Sequence, residues 1–121
     1  MAEAYTGPTQ LMIGGEWVDG VKGQTIDVLN PFNATKITAI AEATEEDVDR
    51  AVAAAKAAFP AWAKMAAHDR GALMLKLADA IEARAEEFIA LEALDTGHPV
   101  MDACRLDVPR TVLCFRYFGG M

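Results

Sequence analysis

Basic residues are scarce in this chain. Eleven lysines and arginines stand against 18 aspartates and glutamates, so the 121 residues carry a formal charge of −7. No lysine or arginine cluster stands out, and the aromatics, 7% of residues, do not interleave with basic ones. Binding a polyanion requires several cationic contacts that release its counterions. Nucleic acid and anionic membrane surfaces are therefore poor partners for this chain.

Long apolar runs are missing as well. None approaches the roughly 20 residues that cross a bilayer. The opening MAEAYTGPTQ has no basic segment leading into an apolar one, so no secretory signal is read. A cytoplasmic location is the expectation.

Only two cysteines and two histidines are present. If Cys104 and Cys114 share a helix, they lie roughly 15 Å apart along its axis, beyond disulfide reach. They are read as buried or half-buried free thiols. His68 and His98 show no paired ligand spacing, so no zinc site is expected. Neither histidine has a serine or cysteine near it in sequence. G-x-G-x-x-G and Walker loops are absent. The residues alone give no complete active site.

What is abundant is apolar surface. The hydrophobic set makes up 53% of residues before glycine is counted, against about 45–50% with glycine in ordinary soluble domains. A short chain has much surface relative to its volume. Part of this surface is therefore expected to pack on something else.

Residues 1–10 read as a flexible arm. Met12 and Ile13, then Gly14-Gly15, then Glu16-Trp17-Val18 read as a hairpin. Asp19-Gly20 is a second turn signal. QTIDVLNP is a strand with Ile26 and Val28 on one face, ended by Asn30-Pro31. KITAIAEA is a further short strand.

The first helix is expected from Thr44, where TEED has the form of a capping box with Asp47 in the reciprocal position. Val48, Ala51, Val52, Ala55 and Phe59 form its apolar stripe. Pro60 is expected to end it, with Trp62 packing across the junction. Asp69 is the expected cap of a second helix, striped by Leu73, Leu77, Ile81, Ala85 and Phe88. A break is expected near Ala83-Arg84. Pro99 suits the first position of the next helix, whose face carries Met101, Cys104 and Val108, then Val112 and Phe115. Pro109 should make it bend or restart around Asp107, and Gly119-Gly120 should close it. The fold class is α/β: N-terminal hairpins and short strands followed by three or four helices.

In order, the segments MIGGEWVDG, NPFNATKI, EEDVDRAVAAAKAAFPAW, RGALMLKLADAIEARAEEFIALEALDTGHP and DVPRTVLCFRYFGG carry a specific resemblance. Together they resemble the N-terminal part of an NAD(P)-dependent aldehyde dehydrogenase, from about Leu11 to Met121. The resemblance implies that residues 11–121 are an incomplete piece of a Rossmann-like cofactor-binding domain. It implies that the nucleophilic cysteine, the general-base glutamate and most cofactor contacts lie in the remainder of the enzyme chain. Neither Cys104 nor Cys114 matches the nucleophile. A homo-oligomer using NAD or NADP on an aldehyde substrate is implied for the whole protein, with this segment inactive alone.

Two local sites follow from the resemblance. Asp95 sits in the last turn of a helix, where free carbonyls already concentrate negative charge. Some relatives hold K+ or Na+ with this aspartate and with the backbone carbonyl matching Val28; all are hard oxygen ligands. The other reading has Asp95 accepting from amides around Gly97 and His98. Leu106 and Arg110 match positions at the mouth of the aldehyde tunnel, where Arg110 could draw in a distal carboxylate. Alternatively, Arg110 is a solvated surface arginine. A rival to the enzyme segment is a free-standing helical module that dimerises or caps a partner; a third reading is a poorly folding truncation.

Overall fold

The computed structural model describes residues 5–121. The expected arm at 1–10 lies partly outside them. Among its described residues, the Thr9 carbonyl accepts from the Ala41 amide at 2.7 Å, and the Gln10 amide donates to Asp19 at 2.9 Å.

The chain divides into two compact units, the first ending at Ala63 and the second beginning at Lys64. In the first, β1 (Leu11–Ile13) pairs antiparallel with β2 (Glu16–Val18), with Leu11 opposite Val18. The Gly14-Gly15 turn has φ of 64° and 90°. Positive φ at both central residues is what a two-residue hairpin turn needs, and glycine adopts it without steric cost.

β3 (Thr25–Leu29) pairs antiparallel with β4 (Lys36–Ala41). Asparagine side chains build the connection. Asn30 Oδ1 accepts from the Phe32 amide at 2.9 Å and Asn33 Oδ1 from the Thr35 amide at 3.0 Å. Each closes a local Asx turn. The ladder shifts register between Val28 and Leu29.

α1 (Glu45–Lys64) opens on the expected box. The Thr44 amide donates to Asp47 Oδ2 at 2.9 Å, and the Asp47 amide reaches Thr44 Oγ1 at 3.4 Å. Pro60 does not end the helix, which continues to Lys64. A proline removes one amide donor, and the following Ala-Trp-Ala-Lys carries the helix on past that single loss. Trp62 lies in this last stretch, 43% exposed.

The second unit is helical: α2 (Ala67–Ala83), α3 (Ala85–Thr96), a single turn α4 (Val100–Asp102), a π-helical turn at Ala103–Asp107, and α5 (Val108–Gly119). Asp69 is not the cap of α2. Ala66 holds that position without a side-chain bond and Asp69 lies inside the first turn, while the Arg70 guanidinium takes the Met65 carbonyl.

The expected break falls at Arg84, whose φ of −114° and ψ of 22° leave helical space. Its guanidinium makes two bonds to the Glu87 carboxylate, at 2.8 and 2.7 Å, and lies 5.9 Å from the Phe88 ring centroid. A forked pair restarts α3 where the backbone ladder is interrupted.

The buried apolar residues are Ala78, Ala103, Val108 and Val112. Sequence periodicity places Cys104 on this face; the structure places Ala103 there instead. The reason is the π turn, in which the Val108 amide donates to the carbonyl of Ala103, five residues back. One extra residue per turn rotates the preceding face out of the 3.6-residue register. Gly71 on α2 and Gly119 on α5 let the two backbones meet closely.

Much of each expected stripe remains open to solvent. Phe59 is 64% exposed, Leu77 45% and Met101 51%. Among the described residues no helix is long and apolar enough to cross a membrane.

Candidate functional site

Val28 belongs to β3 of the first unit, opposite Thr38, at the start of the register shift. The shift interrupts regular pairing beside it. Asp95 belongs to the second unit, exposed in the final turn of α3. Gly97 follows with φ of 74°, the left-handed residue that ends many helices.

Asp95 does not fix this turn through the His98 amide. Thr96 takes that bond: its Oγ1 accepts from the His98 amide at 3.2 Å and donates to the Glu92 carbonyl at 2.7 Å. Threonine sits one residue nearer, so its short side chain reaches both partners without strain.

Leu106 lies in the π turn and Arg110 in the first turn of α5, both exposed. Pro109 between them has no amide to offer the Arg105 carbonyl. The π turn ends at Asp107, with only Val108 between it and this missing donor. Arg110 lines an open cleft of about 360 Å³ in the second unit. Its apolar wall comes from Ile81, Phe88 and Val108, and two carboxylates, Glu92 and Asp107, share the rim with Arg110.

Sequence reasoning missed what gathers at this rim. His98 Nδ1 lies 3.0 Å from Asp107 Oδ2. Ligand atoms of Glu92, His98 and Asp107 all fall within 4.8 Å of one another. The Asp107 hydrogen bond and charge push the His98 imidazole above its ordinary range, and the charges of Glu92 and Asp102 add to this. No sequence signal joins the three, because the spacings from 92 to 98 and from 98 to 107 match no ligand motif. They meet because the left-handed Gly97 turns His98 back and the π turn re-aims Asp107.

Cys104 and Cys114 are free and exposed, not buried. Cys104 follows buried Ala103, and Cys114 stands two residues past buried Val112. A two-residue step on a helix moves a side chain about 200° around the axis.

The aldehyde dehydrogenase family pattern matches residues 17–121. The chain belongs to the aldehyde dehydrogenase family. An aldehyde dehydrogenase of Alternaria alternata is 47% identical over 114 residues, covering 93% of this chain and 23% of the relative.

Crystallised PnpE from Pseudomonas sp. WBC-3 is 58% identical with a TM-score of 0.92, over 95% of this chain and 24% of that one. PnpE has also been crystallised with nicotinamide adenine dinucleotide. Betaine aldehyde dehydrogenase from Staphylococcus aureus, in complex with NAD+, is 35% identical with a TM-score of 0.89, over 93% of this chain and 23% of that one. The chain thus spans about a quarter of the length of these aldehyde dehydrogenases. These matches, to an N-terminal portion of the family, favour the enzyme-segment reading over a free-standing module.

Proposed function

We propose that this segment serves a complete aldehyde dehydrogenase as scaffold and as part of the rim of its substrate tunnel. In that enzyme a thiolate would add to the aldehyde carbonyl, NAD(P)+ as the oxidant would accept the hydride, and water would cleave the resulting thioester, releasing the carboxylate and regenerating the thiol. Neither glycine pair has the context of a phosphate loop: Gly14-Gly15 closes a β-hairpin and Gly119-Gly120 ends a helix, whereas a phosphate loop joins a strand to a helix N-terminus. Cofactor and nucleophile are therefore assigned to the remainder of the chain, and the choice between NAD and NADP goes with them.

What this chain adds is recognition. Leu106 offers an apolar wall to an entering aldehyde. Arg110 offers a fork of donors to a carboxylate at the substrate's far end. Glu92 and Asp107 on the same rim moderate that attraction, which confines it to substrates reaching Arg110 itself. Asp95 is assigned to K+ or Na+ on the strength of the family resemblance. The working enzyme is taken as a cytoplasmic homo-oligomer.

The observation carrying this reading is the 58% identity and TM-score of 0.92 to PnpE over 95% of the chain. The test compares the 121 residues alone with the same residues joined to the rest of an aldehyde dehydrogenase. The joined protein should form NADH or NADPH from an aldehyde, and the segment alone should form none. Turnover by the isolated segment, or none by the joined protein, would overturn it.

A further inference from the structure

We propose that Glu92, His98 and Asp107 form a site for one divalent transition-metal ion of the zinc class. This inference concerns a different ligand set from the hard-cation assignment at Asp95.

The donor set comes first. One imidazole nitrogen and two carboxylate oxygens suit zinc, nickel or cobalt, for which imidazole is a good ligand. Charge supports it. Two carboxylates and a neutral imidazole sum to −2, which a divalent ion cancels. Without an ion, protonating His98 offsets only one of the two.

Geometry is close to what is needed. Ligands about 2.1 Å from a tetrahedral zinc stand about 3.4 Å from each other. His98 and Asp107 are at 3.0 Å, and Glu92 lies within 4.8 Å of both. The last turn of α3, Ala93–Thr96, and Gly97 separate Glu92 from His98, and the proposed site requires the glutamate side chain to swing towards the other two ligands. Three protein ligands leave a fourth position for water.

Arg110 is the countervailing group. It lines the same cleft, and its charge opposes any cation. A hard ion held by charge alone is therefore disfavoured, and an ion that bonds imidazole is selected. Occupancy would pin the Gly97–Pro99 turn to the π turn and stiffen the segment bearing Leu106 and Arg110.

The experiment titrates Zn2+ alone into the 121-residue chain, followed by calorimetry and by NMR of the two histidine rings. One equivalent should bind, the ring signals of His98 should move, and those of His68 should not. His98→Gln and Glu92→Gln should each weaken binding at least 10-fold, since outer partners of metal ligands alone cost about 10–100-fold. A Cys104→Ser/Cys114→Ser variant should bind as the parent does. If His98→Gln fails to fold, Glu92→Gln and the parent's ring signals decide. No uptake, uptake that moves only His68, uptake lost with the thiols, or uptake indifferent to Glu92→Gln would overturn the proposal.

Discussion

The backbone amide of Val21 donates to both carboxylate oxygens of Asp47, 26 residues further along, at 3.2 and 3.1 Å. The same carboxylate caps α1 through the Thr44 amide and hydroxyl, and Arg50 approaches it at 3.3 Å. Asp47 is 1% exposed. One side chain therefore joins the turn after β2 to the start of α1. The Thr44 amide, foremost, holds its carboxyl below the usual carboxylate range. Burial opposes that, and the Thr44 hydroxyl, the Val21 amide and Arg50 assist it.

A group with a depressed folded-state pKa contributes stability that is present above its unfolded value, about 3.9 for aspartate. That stability is lost as pH falls through the lower folded value. Thermal melts of the 121-residue chain should therefore keep this contribution at pH 7 and lose it below about pH 4. Asp47→Asn should melt several degrees lower than the parent at pH 7. The gap should narrow in acid. A constant gap from pH 7 to pH 2.5 would show that the charge is not what matters.

Gly71 gives a second prediction with two opposed terms. Alanine at a helical glycine gains about 1 kcal/mol of helix propensity. Here, however, the added Cβ would strike the Gly119 carbonyl oxygen of α5, and overpacking costs about 1–3 kcal/mol. That oxygen belongs to the backbone and cannot swing aside. Gly71→Ala should lower Tm. A raised Tm would mean that α2 and α5 separate freely at this point.

The thiols make a direct check on the π turn. Because Cys104 and Cys114 are both exposed, two thiols per native chain should react rapidly with a disulfide reagent. The residues from Met101 on would otherwise follow a regular helix and Cys104 would turn towards α2. One fast and one protected thiol would indicate that arrangement.

Asp95 yields a prediction in salts. If it helps hold a monovalent cation, stability at fixed ionic strength should be higher in potassium or sodium than in tetramethylammonium, and Asp95→Asn should abolish the difference. Identical melts in all three salts would remove the cation assignment.

The elements legible in the sequence were those set by local chemistry. The Gly-Gly turn, the Thr44–Asp47 box and the break at Arg84 need only a few neighbouring residues, and all three occur. Pro60 departs from expectation because the penalty of an interior proline is local, and α1 keeps helical geometry on both sides of it through to Lys64. Cys104 was misread because periodicity assumes 3.6 residues per turn, and the π turn breaks that assumption. The Glu92–His98–Asp107 cluster was invisible for the same reason, since it depends on where two irregular turns point. The solvent-exposed stripes around Phe59 and Leu77 fit the apolar excess of the composition.

Arg110 carries the functional prediction, and it is tested in a complete enzyme containing this segment. Arg110 lines the cleft together with Glu92 and Asp107. Opposite charges about 8 Å apart, at an effective dielectric of about 40, interact by about 1 kcal/mol, close to fivefold in binding. Arg110→Ala should therefore raise KM about fivefold for an aldehyde with a distal carboxylate and little for a neutral one of the same length. Glu92→Gln removes a repelling charge and should shift the preference the other way, lowering KM for the acidic aldehyde. Raising salt should shrink both effects, because the rim is open to solvent. Equal changes for acidic and neutral aldehydes in both variants would mean that Arg110 is an ordinary solvated arginine and that the rim does not select by charge.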